Sequence, residues 1–287
     1  MSRRWLLLGI EVAAPALVLV LWYVVSAGST SFYFPPLGDI LARFFDQWLG
    51  EGLTRDALPS LGRMVLGYAL ATVLGLVIGI ALGLSRIAQA MFGPTVEFLR
   101  SVPSVVLIPF GIVVLGVDTT MKVFVIALGC SFPVILNTID GVRSVEPQLI
   151  DVTRTYRFSR VERLWRVVLP SASPQIFAGM RTSLSLALIL MVVSEMVAST
   201  NGIGYSILKA QRLFEVVEMW SGILMLGVLG YLINTILVLT EKRVLAWHRG
   251  FRASVLGQNV STPPSRRWFR KPQPQPAAAS ATGSPER

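Results

Sequence analysis

The chain has 287 residues, 53% of them hydrophobic and only 15% charged, with a formal net charge of +10. Soluble domains carry about 25% charged residues, so this composition excludes an ordinary soluble protein and points to one embedded in a bilayer. One cysteine, Cys130, and one histidine, His248, exclude an intramolecular disulfide framework and a multi-cysteine metal site. No metal and no cofactor are expected. None of the four lysines, Lys122, Lys209, Lys242 and Lys271, stands in a G-x-x-x-x-G-K-[ST] frame, so the chain is not expected to hydrolyse ATP itself. In a soluble protein the positive charge would suggest nucleic acid. Here nine Arg/Lys against two Glu lie from Glu241 onward, just past the last apolar stretch, where basic residues flank a membrane on its cytoplasmic side. The expected surroundings are a lipid bilayer and no nucleic acid.

Residues 5–25 are apolar and long enough to cross the hydrocarbon at about 1.5 Å per residue. Arg3 and Arg4 precede them and place the N-terminus inside. Ser26-Ala27-Gly28 would suit a cleaved signal peptide, but the run is long and Trp22 and Tyr23 form an interfacial belt, so the helix is read as retained. Residues 26–60 carry mostly acidic charge, as an external loop should. Within them Leu37, Ile40, Leu41, Phe44, Phe45, Trp48 and Leu49 form a helical stripe after Pro35-Pro36. That helix either lies along the outer membrane surface or packs on the bundle. A second span covers roughly 62–84, where Gly67, Ala71, Gly75, Gly79 and Gly83 repeat every four residues. Such a stripe lets a neighbouring backbone approach closely.

A third span, within 94–117, is interrupted by Pro94, Pro103 and Pro109, each lacking a backbone donor. Irregular backbone at membrane depth is tolerated where it is buried or lines a cavity, so Pro103 and Pro109 are pathway candidates, with a kinked packing helix as the alternative. Asp118 to Lys122 make an outer turn, and a fourth span covers about 122–139 and carries a further pathway candidate, Asn137. A basic loop follows at 140–175, a fifth span at 176–198, an external segment at 199–218 with the turn signal Asn201-Gly202-Ile203-Gly204, and a sixth span at 219–240. The fifth span carries Glu195. A carboxylate inside a span is a pathway or gating candidate; the competing reading is a subunit-interface or interfacial glutamate that reaches water. Arg100 and Arg181 are read as snorkelling to the interface. Six spans with both termini inside satisfy the charge rule at every loop. From about 257 the chain is rich in Pro, Ser and Ala and is expected to be disordered. The organisation is a first helix at 1–28, an external segment at 29–61, a core at 62–245 and a basic tail at 246–287.

The loop between the fourth and fifth spans, from Glu146 to Pro170, is far longer than an ordinary connection. Val161, Leu164, Trp165 and Val168 recur within it at helical steps among arginines, which predicts a short amphipathic helix whose apolar face is covered by something. This loop resembles the cytoplasmic motif EAA-x3-G-x9-I-x-LP of the membrane subunits of bacterial ABC importers. Asp151-Val152-Thr153 occupies the EAA place, Arg157 stands where the glycine belongs, and Val167-Val168-Leu169-Pro170 matches I-x-LP. FPPLGDILARF, PSLGRMVLGYALATVLGLVIGIALGLS, FLRSVPSVVLIPF, ALGCSFPVILNTIDGV and SEMVASTNGIGYSI are similar to the nitrate/sulfonate/taurine branch of these permeases.

The resemblance covers about residues 5–245. It implies an all-α polytopic protein of six transmembrane helices in a bacterial inner membrane. It also implies a second permease subunit, often identical, a pair of ABC ATPase subunits on the cytoplasmic side, and an external solute-binding protein. The solute would be small and anionic. Asp151, Val152, Thr153, Arg157, Phe158, Val161, Leu164 and Pro170 would form the ATPase-coupling helix–turn–helix. Arginine in place of glycine at 157 is read as tolerated drift within a subfamily, the alternatives being a different turn there or a pairing with an acidic group of a diverged ATPase. The alternative from another class is a self-sufficient channel or secondary transporter that works without an ATPase.

Overall fold

A computed structural model of the chain describes residues 17–245. The N-terminal arginines, the start of the first span, His248 and the tail expected to be disordered lie outside the described residues. The chain folds as α1 (Leu17–Ser26), α2 (Leu37–Trp48), α3 (Leu58–Leu84), α4 (Arg86–Ser101), α5 (Leu107–Leu115), α6 (Thr119–Arg143), α7 (Pro147–Thr155), α8 (Arg160–Arg163), α9 (Leu169–Val197), α10 (Ile203–Arg212) and α11 (Val216–Val244). Among the described residues, four helices are long and apolar enough to cross a membrane, and a fifth crossing is made if α4 and α5 count as one bent span.

The core is three long helices. Along α3 the four-residue glycine repeat faces α6. A Cβ added at Gly67 would fall 2.7 Å from the Ile126 side chain, one at Gly75 2.6 Å from Val134, one at Gly79 2.6 Å from Thr138, and one at Gly83 2.8 Å from Val142. Ala71 and Cys130 lie fully buried in the same packed cluster. The two helices therefore mesh four residues at a time, with small residues on one side and branched ones on the other. The pairing rises in number on both helices together, so α3 and α6 run in the same direction. The chain between them must cross back, and the α4–α5 segment makes that return, with a 75° bend at its break. Helix α9 is antiparallel to both. Gly141 packs against Ala172 and Gly129 against Leu190, while the Tyr68 hydroxyl donates to the Met180 carbonyl at 3.0 Å. α11 returns beside α9, with Arg181 paired to Glu241 and Gly230 facing Leu188.

The breakers act differently from the sequence expectation. The third span breaks at Val102-Pro103, not at Pro94 or Pro109. Pro109 stands in the first turn of α5, where no intrahelical N–H is required, and Pro94 is carried inside α4. The basic loop expected at 140–175 is mostly helical. α6 runs on to Arg143, and α8 continues through a π-turn at Leu164–Val168 into α9 as one helix, Arg160–Val197, of 38 residues. Pro170 therefore lies inside a helix and not at the end of a loop. The same device opens α3, where a π-turn at Leu53–Ala57 precedes Leu58-Pro59-Ser60 just as Leu164–Val168 precedes Leu169-Pro170-Ser171. The wider i→i+5 turn makes room for a proline ring that has no N–H and would crowd the carbonyl four residues back.

The external stripe is divided. Leu37, Ile40 and Trp48 are buried against the bundle, and the Trp48 indole donates to Ser221 Oγ at 2.9 Å, while Leu41, Phe45 and Leu49 face outward. The segment at 199–218, where the turn signal was read, also contains α10, whose Ile203 and Ile207 pack with Trp48, Ala57 and Met225.

Candidate functional site

Two polar assemblies stand at opposite ends of the α3–α6–α9 core. At one end, α7 and α8 form a tight hairpin. The Phe158 N–H donates to the Thr153 carbonyl at 2.9 Å and the Arg157 N–H to the Arg154 carbonyl at 3.0 Å. These are the paired bonds that close a helix through a left-handed residue. That residue is Arg157, with φ of 55°. The chain thus keeps the turn that normally takes glycine, and the alternative of a different turn is overturned; the backbone bonds hold arginine in a conformation costing roughly 1 kcal/mol. The next helix starts at once with a capping box. The Ser159 N–H donates to the Glu162 carboxylate at 2.9 Å and the Glu162 N–H to Ser159 Oγ at 3.2 Å.

The hairpin is fixed to the bundle by its inner face. Thr153 is buried, and Leu164 and Val168 pack with Val142, Ala172 and Ile176. Phe158 is half-buried, with the Arg166 guanidinium 6.0 Å over its ring. The expected apolar stripe is therefore only half covered. Val152, Tyr156, Val161 and Trp165 are 52%, 74%, 66% and 67% exposed. Asp151 is exposed and pairs with Arg154 at 3.1 Å. Apolar side chains thus stand bare among Arg154, Arg157, Arg160 and Arg166, all exposed.

At the other end is a buried ionic clamp. Glu195 is fully buried, which overturns the reading of an interfacial glutamate reaching water. One carboxylate oxygen accepts from the Arg63 guanidinium at 2.7 Å, the other accepts from the Gly204 N–H at 3.1 Å, and Ser60 Oγ is 2.8 Å from both. Arg63 also donates to the side chain and backbone of Asn201 and, at 3.4 Å, to Thr119 Oγ1. Asp56 accepts from the Gly202 N–H at 2.8 Å, and Ser60 Oγ from the Ile203 N–H at 2.9 Å. The clamp ties α3, α6, α9 and the turn into α10. Its loop is possible only with glycine. Gly202 has φ of 115°, and a Cβ there would fall 2.4 Å from the Glu195 carboxyl carbon. Sequence reasoning found Glu195 and the Asn-Gly-Ile-Gly turn but missed Asp56, Ser60, Arg63 and Lys122. A usable signal was present: Asp56, Ser60 and Arg63 stand at i, i+4 and i+7, one helical face turned to the core. Lys122, read as part of an outer turn, is buried within α6.

The other candidates separate. Asn137 donates to the Pro133 carbonyl at 2.8 Å and accepts from Gln175 at 3.0 Å, bridging α6 and α9. Pro103 caps a short 3₁₀ turn at Ser104–Val106. Arg100 pairs with Glu97 on the exposed face of α4.

Residues 71–245 match the family described as Binding-protein-dependent transport system inner membrane component. The chain belongs to this family, the membrane-spanning permease subunits of ABC importers. It is 32% identical over 239 residues to a Bacillus subtilis protein named as an aliphatic sulfonates transport permease, SsuC, covering 83% of this chain and 87% of that one. It is 27% identical over 246 residues to the Escherichia coli taurine transport system permease protein TauC, covering 83% and 90%. Among solved structures it is similar in fold to the inward-facing MetNI methionine ABC transporter, with a TM-score of 0.60 and 18% identity over 67% of this chain and 95% of that one.

Proposed function

We propose that this chain is one of two identical permease subunits that form the translocation pathway of an ATP-driven importer in a bacterial inner membrane. The observation that carries this reading is the α7–α8 hairpin. A rigid element locked by a left-handed turn and a capping box, with bare apolar side chains ringed by arginines, fits a groove on another protein better than it fits water or lipid. The partner is a P-loop ATPase, and the hydrolysis this chain cannot perform takes place there. The hairpin end carries Arg143, Arg154, Arg157, Arg160 and Arg163, which supports a cytoplasmic position. Five crossings among the described residues, with the bent pair taken as one, and the apolar run at 5–25 support six, with both termini on that side. An external solute-binding protein delivers the solute to the opposite face.

ATPase closure displaces the hairpin, and α9 carries the displacement to the clamp, where packed helices exchange between discrete arrangements. Asp151, Val152, Thr153, Arg157, Phe158, Val161, Leu164 and Pro170 belong to the coupling element. Glu195 acts in structure and gating. The relatives named for sulfonate and taurine transport support a small anionic solute of the sulfonate, taurine or nitrate kind.

Purification of the native complex tests the proposal, together with uptake in liposomes. A stoichiometric ATPase and ATP-dependent uptake are expected. Val161→Asp alters a side chain that is 66% exposed, so it should leave the melting temperature unchanged and lower ATPase retention at least tenfold. Gradient-driven uptake by the permease alone would replace this reading with that of a self-sufficient channel or carrier.

A further inference from the structure

A cleft of about 930 Å³ opens between the end of α3, α4 and the last turns of α6. Gly83 meets Val142 there, an added Cβ falling 2.8 Å from it. Arg86 at the start of α4 and Arg143 at the end of α6 therefore stand at the same end of the cleft, the end that carries the hairpin. Both arginines line the cleft and both are exposed. Neither makes a hydrogen bond or ion pair among the described residues. The one carboxylate that lines the cleft, Glu97, is paired with Arg100. It also lies about 16 Å beyond Arg86 along α4, at 1.5 Å per residue. Asp140 and Glu146, the carboxylates nearest Arg143 in the chain, do not line the cleft. Arg143 does meet the negative end of the α6 dipole, but that is a partial charge and not a counter-ion.

The rest of the cleft is apolar. Apart from Arg86, Gln89, Glu97 and Arg143, its walls are apolar side chains and glycine, with Leu136 and Ile139 on α6 facing Ala90 and Val96 on α4. Helix α4 buries none of its residues. Beside its cleft-lining face runs a second stripe, Ile87, Met91 and Phe98, all largely exposed, at spacings that share one side of a helix. The cleft thus has a cationic mouth at a membrane surface and an apolar interior flanked by side chains that suit hydrocarbon. A small free anion would leave the walls bare, and an apolar molecule would leave the arginines without a counter-charge. A molecule that satisfies both has an anionic head and a hydrocarbon tail.

We infer that this cleft binds one anionic phospholipid of the cytoplasmic leaflet, with its phosphodiester held by Arg86 and Arg143 and an acyl chain lying along Val96, Leu136 and Ile139. The planar fork of arginine matches phosphate oxygens, and basic pockets between membrane helices on the cytoplasmic side suit anionic head groups. Bound there, the lipid ties α4 to α3 and α6 and steadies the segment that carries the chain back across the membrane. The inference goes beyond the proposed transport function and takes from it only the leaflet that supplies the lipid.

The native complex in a non-ionic detergent tests it. Thermal unfolding is followed as dioleoylphosphatidylglycerol is added, with dioleoylphosphatidylcholine as the zwitterionic control and glycerol 3-phosphate as a head group without tails. Phosphatidylglycerol is expected to raise the melting temperature saturably, and the two controls are not. Its apparent affinity should fall about tenfold or more when Arg86→Gln and Arg143→Gln are combined, and return when both are changed to lysine. Ala90→Trp fills the cleft from an exposed position with both charges kept, and should weaken binding as well. Both arginines are exposed, so the lipid-free melting temperature of the double glutamine variant should stay native, which separates lost binding from misfolding. Equal stabilisation by phosphatidylcholine, an equal response to glycerol 3-phosphate, or an unchanged affinity in the double glutamine variant would overturn the site.

Discussion

Removing the charge of Glu195 while keeping its shape isolates what the clamp contributes. In Glu195→Gln one oxygen is replaced by an amide NH2. Two fixed donors, the Arg63 guanidinium at 2.7 Å and the Gly204 N–H at 3.1 Å, then compete for one remaining oxygen. Ser60 can adapt because a hydroxyl both donates and accepts; the other two cannot. Arg63, only 7% exposed, is left without a counter-charge but still bonded to Asn201 and Thr119. Breaking a buried pair from one side costs about 3–5 kcal/mol, and the bonds that survive place this site near the lower figure. The assay is thermal or denaturant unfolding in nanodiscs, followed by helical circular dichroism. It is run on Glu195→Gln, Arg63→Met and the double variant. Polar contacts between membrane helices average about 0.6 kcal/mol, so a coupling of about 2 kcal/mol or more between the two sites identifies a charge pair. Additivity within about 0.5 kcal/mol in the double variant would refute the reasoning. In transport, Glu195→Gln should lower assembly or uptake without altering ligand preference, and a switch in preference would mean that the carboxylate meets the solute.

Gly75→Leu forces side-chain atoms into the space that places an added Cβ 2.6 Å from Val134, and should cost about 1–3 kcal/mol or more by separating α3 from α6; unfolding of the purified permease measures it. Arg157→Gly relieves the left-handed turn and, after the extra chain entropy of glycine, should stabilise by about 0.5–1 kcal/mol. It should leave ATP-driven uptake intact, and lost uptake with the fold retained would give the guanidinium a contact on the ATPase. Ser159→Ala removes the capping box and should cost about 1 kcal/mol, read as faster amide exchange over residues 160–163.

What could be read from the sequence was what repeats or stays local. The glycine stripe is a property of α3 alone, and its spacing carries its meaning wherever the partner comes from. The α7–α8 hairpin is likewise encoded within about two dozen residues, and only the covered half of its apolar stripe depends on the rest of the chain. The clamp is the opposite case. Arg63 and Glu195 are 132 residues apart, and nothing near either residue names the other. Helix α10 was hidden because its glycine-rich entry reads as a turn. The continuity of α8 into α9 was hidden because Pro170 was placed in the loop and the fifth span was read only from 176 onward. The π-turn that accommodates Pro170 is a backbone feature without a residue signature of its own.

The single helix from Arg160 to Val197 has a consequence for its own length. Its 38 residues amount to about 57 Å at 1.5 Å per residue, with the hairpin at one end and Glu195 near the other. The two ends are locked in rotational phase. Adding or deleting one residue between them would turn the carboxylate about 100° around the helix axis relative to the hairpin, away from Arg63, while altering the length by only about 1.5 Å. A change in the number of residues along this helix therefore perturbs the clamp more than most single exchanges of its exposed side chains.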